Sequence, residues 1–471
     1  YEVSVYERNS QAGGKMNEIR SGGFRFDTGP SLLTMPEVVD ELFQYCGYRR
    51  DRFLTYRPLE PGTRYYYKDG TEFNVYDSLS RTVEEIRRIA PEDEANWLDF
   101  LGYAAGLYQK TAGAFLFNPL QGLKDFPTDS LSDLMHIDAL TTVSKRVNSY
   151  FESPYLRQFF KRFTTYNGSS PFKAPATLNV IPYVELCLGG YYIDGGMYRL
   201  IRALEQMAKD LGVRFHYNES VHSIEAAGGE IKGLRLQSDP GQLLPFGLVV
   251  SNADATETYL KLVDQAELPR RTIKKTRNIE PSCSGFVMLL GLDTRYEMLA
   301  HHTIFFSENY EKEFSDIFSE RRLPDDPTIY VANTSQTNPD HAPAQGYSNL
   351  FVLINAPYTD GSEDWEQISK SYRDHVVREL ENRGLDNLSG HIVYEKHITP
   401  HDFLTYYRSN CGSIYGTSSN SRLAAYNRPR TKSPYFSNLY LAGGSCHPGG
   451  GIPLVMLSSK HAHTNITRDW S

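Results

Sequence analysis

Glycines are concentrated in one short segment close to the C-terminus, where their spacing could serve to bind an anion. They follow an apolar strand pattern at Leu439 and Leu441 and precede a helix pattern that begins near Pro453. Glycines let backbone N–H groups approach a ligand closely, and a helix start adds unpaired donors and the positive end of its dipole. The segment therefore suits a pyrophosphate or the electron-rich edge of a ring, unless it is simply a flexible loop. Its glycines are Gly443, Gly444, Gly449, Gly450 and Gly451.

A second glycine-containing loop lies close to the first residue. Residues 3–6 alternate apolar and polar and predict a strand that ends on Glu7, before Gly13, Gly14 and Lys15. In dinucleotide-binding sheets such an acid accepts hydrogen bonds from a ribose, about 20 residues after a glycine-rich turn. We therefore expect this strand to be the second of such a sheet, with the first strand and its turn, roughly 20–30 residues, upstream. The alternative is an ordinary edge strand.

Three acids and two histidines are candidates for proton transfer or metal binding. Glu185 and Asp194 flank a loop before a predicted helix, and Asp402 lies in the segment TPHDF; each could also be a solvated or capping acid. His301 and His302 are adjacent, but without further ligands near them a packed or hydrogen-bonded role is favoured over a metal site. The five scattered cysteines form no C-x-x-C pair, which indicates a reduced cytoplasmic protein without a metal cluster.

Strands and helices that could position these residues alternate along the whole chain. Nucleotide-type signals occur at both ends and near residues 189–254, which predicts an α/β protein whose nucleotide domain is discontinuous. Strands are predicted at 24–27, 284–292, 329–333 and 349–355, a hairpin turn at Asp69-Gly70, and helices at 36–46, 82–117, 130–165, 364–383 and from 453.

The composition excludes some classes of function. The 471 residues carry a net charge of −8, which argues against a protein that reads nucleic-acid phosphates. The sequence contains no run of 18 apolar residues, so it predicts no membrane-spanning helix. Aromatic residues make up 13% of the chain and suit a large core or a long apolar ligand.

The chain resembles the bacterial carotenoid desaturases, which are phytoene-desaturase-like flavoproteins, along almost its whole length. The segments that carry the resemblance are ERNSQAGGKM, GFRFDTGPSLLTMP, YNGSSPFKAPA, GGYYIDGGMYRLIRALEQMA, SNAD, HHTIFF, HAP, GSIYG, RPR and NLYLAGGSCHPGGGIPLVMLSSKHA. The resemblance implies a Rossmann-like FAD domain of the glutathione-reductase or amine-oxidase type, built from residues 1–60, 190–265 and 401–471. It leaves 61–189 and 266–400 for a mixed-sheet and helical substrate domain, whose helical part near 82–180 is a candidate for docking on a membrane.

The resemblance also implies residues that bind FAD. Glu7 would hold the adenosine ribose, Arg8 and Lys15 would lie near ribose or phosphate beside Gly13 and Gly14, and the Val221 backbone would pair with adenine. Thr28, Gly29, Pro30 and Ser31 would approach the flavin. Gly443 would touch the pyrophosphate, and Gly450, Gly451, Ile452 and Pro453 would form the helix end that faces the flavin ring.

The run GGKM followed by DTGPSLLTM looks most like the hydroxycarotenoid 3,4-desaturases, and phytoene or diapophytoene desaturation is the first alternative. Such an enzyme passes a hydride to flavin while a proton leaves the neighbouring carbon, and oxygen or a quinone reoxidises the flavin. Related folds also serve carotenoid isomerases, retinol saturases, and amine or porphyrinogen oxidases. The Rab GDP-dissociation inhibitors share the architecture without flavin.

Because carotenoids reside in the bilayer, we expect a cytoplasmic protein that docks peripherally on the membrane. The apolar stretch 105–126 is the predicted docking surface, although it could equally cap the core of the substrate domain. Its predicted membrane contacts are Leu107, Tyr108, Phe115, Leu116 and Phe117.

Overall fold

A computed structural model describes residues 1–119, 137–421 and 428–470 of the chain. The strands in these ranges are β1 (Ser4–Glu7), β2 (Glu18–Ser21), β3 (Phe24–Asp27), β4 (Leu33–Thr34), β5 (Tyr56–Pro58), β6 (Thr63–Tyr66), β7 (Glu72–Val75), β8 (Gly190–Ile193), β9 (Arg214–Tyr217), β10 (Val221–Ala227), β11 (Glu230–Leu236), β12 (Asp239–Pro245), β13 (Val249–Ser251), β14 (Ser284–Leu292), β15 (His302–Phe305), β16 (Ile329–Ala332), β17 (Ser348–Ala356), β18 (Ile392–Ile398) and β19 (Leu439–Leu441).

The α-helices of the same ranges lie between these strands and at the C-terminal end. They are α1 (Pro36–Tyr45), α2 (Leu79–Ile89), α3 (Glu94–Thr111), α4 (Val143–Tyr150), α5 (Pro154–Arg162), α6 (Val180–Leu186), α7 (Arg199–Asp210), α8 (Ala255–Glu257), α9 (Arg270–Arg277), α10 (Tyr310–Ser315), α11 (Trp365–Glu381), α12 (Leu388–His391), α13 (Pro400–Thr405) and α14 (Ile452–Trp470). Short 3-10 and π-helical turns join several of them.

The largest sheet has seven strands in the order β18-β14-β17-β16-β15-β6-β7, all antiparallel except the β15–β6 pair. Strand β14, second in this order, is apolar after Ser284 and fully buried, because both faces of the sheet are covered. Helix α11 packs on one face through Val376, Val377 and Leu380. On the other face Tyr65 and Phe306 pack against a cluster that includes Trp97 and Phe159.

Two pairs of parallel strands form the nucleotide-type part of the fold. Strand β1 pairs with β9, and β13 pairs with β19, so the pairs draw on the N-terminal, middle and C-terminal parts of the sequence. Parallel pairing requires long crossover connections. All seven strands of the largest sheet lie within the connections from β1 to β9 and from β13 to β19. The predicted α/β class with an interrupted nucleotide domain is confirmed, whereas the exact domain boundaries stay a prediction.

The helix predicted over residues 82–117 is interrupted. Helix α2 ends at Ile89, because Pro91 lacks an N–H and disfavours helical backbone in the residue before it. The buried Asp93 in the break accepts hydrogen bonds from the backbone N–H groups of Glu152 and Ser153, at 3.0 and 2.7 Å, just before α5. The helical stretch predicted at 130–165 appears as α4 and α5, and its first residues, 130–136, lie outside the described residues.

Candidate active site

The N-terminal loop begins where β1 ends, and the segment before β10 lies against it. The Glu7 carboxylate accepts the Asn9 N–H at 2.7 Å, and the Glu7 carbonyl accepts the Glu219 N–H at 2.9 Å. Val221 follows two residues later at the start of β10. The two residues predicted for the adenosine end of the cofactor are therefore brought close together.

Gly13 and Gly29 allow two backbone segments to touch. A Cβ at Gly29 would collide with the carbonyl oxygen of Lys15, and one at Gly13, whose φ is +117°, would collide with the Met16 carbonyl oxygen. The loop that carries Gly13 and Gly14 therefore packs directly on the segment from Thr28 to Ser31. The Arg8 side chain instead donates to the Thr405 carbonyl at 3.1 Å.

Lys15 is a half-buried cation at the junction between the two ends of the chain. Its Nζ donates to the carbonyl oxygens of Ser413 and Ile414, at 3.0 and 2.7 Å, and it forms no ion pair with a described carboxylate. Burial lowers the pKa of Lys15 to about 8, although Asp254 opposes this effect. Lys15 therefore ties the N-terminal loop to residues 413–414, and its place near ribose or phosphate stays a prediction.

The segment GSIYG, residues 412–416, connects the N-terminal loop to the C-terminal glycine-rich loop. A Cβ at Gly450 would lie 3.1 Å from the carbonyl oxygen of Tyr415, and one at Gly416 would lie 3.0 Å from the Cα of Ser445. The Gly443 N–H donates to Ser458 of helix α14 at 2.8 Å. The two loops identified at opposite ends of the sequence thus belong to one site.

Arg428 is a second half-buried cation of this site, and the sequence reasoning gave it no role although it begins the quoted RPR segment. It donates to the Pro448 carbonyl and, at 3.4 Å, to Ser419, while its Nε has no partner among the described residues. Burial lowers the pKa of Arg428 to about 10. A Cβ at Gly449 would lie 2.6 Å from its Nη1, so the guanidinium lies directly against the C-terminal loop.

These features fit a bound dinucleotide. Gly14 and Gly451 have φ of +56° and +101°, and a Cβ at either position would meet no protein atom within 4 Å, so the backbone faces open space. The Thr28 hydroxyl is buried without a partner in the described part of the chain. Two half-buried cations, open glycine backbone and a free hydroxyl together suit a ligand with anionic and hydrogen-bonding groups.

Asp27 fixes the segment that starts at Thr28, and it was not singled out from the sequence. It accepts two hydrogen bonds of 2.6 Å from Arg25, one of 3.1 Å from Tyr192, and two of 3.2 Å from the Met197 and Tyr198 N–H groups before α7. Burial opposes the charge on Arg25, but Asp27 outweighs it and raises the pKa of Arg25. The alternation of charged and aromatic residues in GFRFD is the signal that could have indicated this pair.

The three predicted proton acceptors lie apart and already have partners. Glu185 bonds to Tyr166 and to Arg162 at 3.1 Å. Asp194 pairs with Arg57 at 2.9 Å and accepts from Asn338 at 3.1 Å. Asp402 caps α13 by accepting from both the N–H and the hydroxyl of Thr399 at 2.7 Å. Their catalytic role stays a prediction, although each carboxylate has a structural role here.

The two histidines do not form a metal site with other described residues. His301 donates to or accepts from the Thr337 hydroxyl at 2.6 Å, and His302 does the same with Tyr330 at 2.7 Å. The hydrogen-bonded role that the sequence favoured agrees with these contacts.

Of the predicted membrane contacts, Leu107 needs correction, and the others stay a prediction. Leu107 is 3% exposed inside α3, and Leu116 packs against the cluster of Met35, Val38 and Leu457. Tyr108 is half-buried against Tyr183, at 5.2 Å between ring centres, whereas Phe117 is 36% exposed. Several apolar side chains at this point of the chain are therefore used to pack the protein interior.

Residues 120–126 of the predicted docking stretch lie outside the described residues, and no described helix has the length and apolar character needed to cross a bilayer.

Curated relatives match the chain over nearly its full length. The 4,4'-diaponeurosporene oxygenases of Staphylococcus aureus strains MSSA476 and MW2 are each 35% identical, over 99% of this chain and 93% of theirs. Among solved structures, an oxidoreductase from Methanosarcina mazei superimposes with a TM-score of 0.65 at 15% identity, covering 98% of this chain and 94% of its own. A putrescine oxidase triple mutant gives 0.62 at 12%, covering 98% and 92%, and these two show the fold alone.

A fatty acid isomerase from P. acnes that produces CLA has the same fold, with a TM-score of 0.62 at 12% identity over 99% of this chain and 92% of its own. The model of the flavin-containing amine oxidoreductases matches residues 1–466, and this match spans both glycine-rich loops. The chain therefore belongs to the flavin-containing amine oxidoreductase family, as an oxidoreductase whose cofactor is FAD and whose predicted resemblance to the carotenoid flavoenzymes is confirmed.

Proposed function

We propose that the chain oxidises a carotenoid by passing a hydride from a carbon beside the polyene to FAD. The proposed reaction is 3,4-desaturation of a hydroxylated or monocyclic γ-carotenoid. The observation that carries the proposal is the pair of half-buried cations, Lys15 and Arg428, against glycine-rich loops in a chain 35% identical to enzymes named for a carotenoid. The motifs GGKM and DTGPSLLTM support the 3,4 position.

Bound FAD supplies a two-electron acceptor for a hydride. The chain would hold it between the two loops, with Glu7 and Val221 at the adenosine end and Gly443 to Pro453 at the flavin end. Asp27 keeps residues 28–31 in place beside it. The substrate loses a hydride and a proton from neighbouring carbons, and the remaining C–H electron pair becomes the new π bond. No protein nucleophile is needed, and oxygen or a quinone would then reoxidise the cofactor.

The substrate is so apolar that the protein must collect it at a bilayer. We propose peripheral association with the cytoplasmic membrane surface. The exposed Phe117, which follows the π-helical turn Ala112–Leu116, is the described residue that supports a docking site there. The proposed substrate domain, 61–189 and 266–400, includes this turn.

A second reaction is supported by a specific observation, because the curated relatives are named oxygenases of 4,4'-diaponeurosporene. In that case the product gains oxygen rather than losing two hydrogens. The substrate chemistry and the flavin dependence are shared by both candidates.

The test reconstitutes the protein with FAD on liposomes that contain a 1-hydroxylated or γ-carotenoid, phytoene, diapophytoene, or 4,4'-diaponeurosporene. Products are followed by absorbance, chromatography and mass. A product lighter by two hydrogens, formed only from the first class, supports 3,4-desaturation. Desaturated phytoene or diapophytoene moves the activity to the early desaturases, and a heavier, oxygenated product establishes the second candidate. An isomerised or saturated polyene with FAD bound contradicts oxidation altogether. FAD-free protein with the same substrates is the control.

A further inference from the structure

Three side chains form a continuous hydrogen-bonded line. The Ser31 hydroxyl lies 2.5 Å from the Tyr330 hydroxyl, which lies 2.7 Å from Nδ1 of His302. The rings of Tyr330 and His302 are stacked, with centres 5.9 Å apart. Both distances lie at the short end of the range for hydrogen bonds, so each group is bonded directly to the next one in the line.

This line joins the proposed cofactor site to the seven-stranded sheet. In the register of β15 and β16, His302 lies opposite Ala332 and Ile304 opposite Tyr330, so His302 and Tyr330 lie on the same face of the sheet. That face also carries Tyr65 and is not the one covered by α11. Ser31 belongs to the segment that packs on Lys15.

The protonation states allow the line to take up a proton at one end. Burial lowers the pKa of His302 to about 3, and the Arg162 cation adds to this effect, so its ring is neutral near neutral pH. Burial also raises the pKa of Tyr330, which keeps its hydroxyl protonated. The Nε2 of His302 is buried without a partner among the described residues. Tyr330 can therefore donate to Nδ1 while Nε2 carries the ring hydrogen.

We propose that Ser31, Tyr330 and His302 form the relay that removes the proton from the substrate carbon after hydride transfer. The inference rests on the proposed desaturation. The substrate proton passes to Ser31 Oγ, the Ser31 proton to Tyr330, and the Tyr330 proton to His302 Nδ1. The C–H electron pair stays on carbon as the π bond, and His302 ends as an imidazolium, so the relay itself involves no redox change.

A weak base is sufficient for this step. A carbon cation conjugated with a polyene is a far stronger acid than an imidazolium, so transfer to a poorly basic ring is downhill. The carboxylates that could compete, Glu185, Asp194 and Asp402, already accept hydrogen bonds from other groups. Because a neutral relay adds no charge to the apolar site in the resting state, it avoids the cost of a buried carboxylate.

Tyr330→Phe breaks the line with the loss of one oxygen. We expect product formation to slow by about 10²-fold in a single turnover on γ-carotenoid liposomes. Deuterium at the carbon that loses the proton should then produce a rate effect that wild type lacks, because proton removal has become limiting. Tyr372→Phe is the matched control, since its buried hydroxyl bonds to the Pro324 carbonyl at 2.9 Å on the opposite face of the sheet.

His302→Gln is the second variant, because the amide can keep a hydrogen bond to Tyr330 but cannot take up a proton. We expect the same loss of rate, with unchanged FAD affinity. A readout independent of turnover is the nitrogen NMR spectrum of ¹⁵N-histidine-labelled protein. The resonance lost in His302→Gln should move in Tyr330→Phe and stay in place in Tyr372→Phe.

Two results would overturn the relay. If wild type desaturates and both variants match its rate and isotope effect, the relay is wrong while the proposed function stands. If FAD-loaded wild type forms no desaturated product from any of the carotenoids, the proposed function and the relay fall together.

Discussion

Asp27 satisfies five donors with two carboxylate oxygens, and this concentration makes it the residue whose replacement should be most costly. Asp27→Asn removes one of the two carboxylates that pair with the buried Arg25, and Glu18 remains 3.0 Å from its Nε. We expect a loss of about 1.5–3 kcal/mol in the free energy of unfolding, measured by urea denaturation. Asp51→Asn breaks the exposed pair with Arg49 and should leave the urea midpoint unchanged.

Gly14 should contribute to cofactor binding more than to folding. Its φ is +56° and a Cβ would meet no protein atom, which is also true of Gly228, where φ is +63° in the turn between β10 and β11. Gly14→Ala and Gly228→Ala therefore carry a similar backbone cost of about 1–2 kcal/mol. We expect only Gly14→Ala to weaken FAD binding in a fluorescence titration. Equal FAD affinity of the two variants would place the cofactor elsewhere.

Sequence reasoning predicted cofactor-site residues from local patterns and did not single out those that join the candidate site through distant contacts. Glu7, Lys15 and the C-terminal glycines lie in short, recognisable motifs, and the structure brings their segments together. The partners of Arg428 lie in other segments, and the line from Ser31 to Tyr330 joins residues 299 positions apart. A single sequence does not state which distant side chains will meet.

Among the elements, those with strong periodicity were predicted well. Strand β14 was predicted with the bounds that the structure has, and β17 and α11 differ from their predicted bounds by only one or two residues. The apolar residues near the end of α3 were harder to interpret. Leu107 and Leu116 were assigned to a membrane surface, but Leu107 is buried and Leu116 is partly buried against Met35, Val38 and Leu457. Local apolar character cannot distinguish a buried face from a docking face.

Helix α10 carries a buried acid that should make stability depend on pH. Glu313 accepts from the Ser307 hydroxyl at 2.6 Å and from the Thr328 hydroxyl at 2.7 Å, and so joins the end of β15 to the start of β16. Burial raises the pKa of Glu313 from 4.5 to about 7, against the effect of these hydrogen bonds. Between these values the folded state holds a proton that the unfolded state has released, so stability falls as pH rises through this window.

Glu313→Gln should remove this dependence. Between pH 4 and pH 8 wild type should lose roughly 3 kcal/mol more than the variant in the free energy of unfolding, measured with urea at each pH. Glu311→Gln, on the exposed side of the same helix, should follow wild type at both values. Parallel curves for wild type and Glu313→Gln would mean that the acid is already ionised in the folded protein.

At the scale of the whole molecule, the sequence indicated an interrupted domain because nucleotide-type signals stood at both ends and in the middle. The strand pairs β1–β9 and β13–β19 agree with that reading. The order of the seven-stranded sheet, in which β15 pairs with the early strand β6, was not predictable. Parallel and antiparallel partners are chosen by packing across the finished sheet, and strand patterns alone carry no information about neighbours.

The bonds from Lys15 to Ser413 and Ile414 span 398 and 399 positions, and this has a consequence for synthesis of the protein. A ribosome that adds roughly 5–20 residues per second needs roughly 20–80 s between making the two ends of that contact. Throughout this interval the Lys15 ammonium lacks these two acceptors. The two loops that would hold FAD can therefore come together only after almost the whole chain has been made.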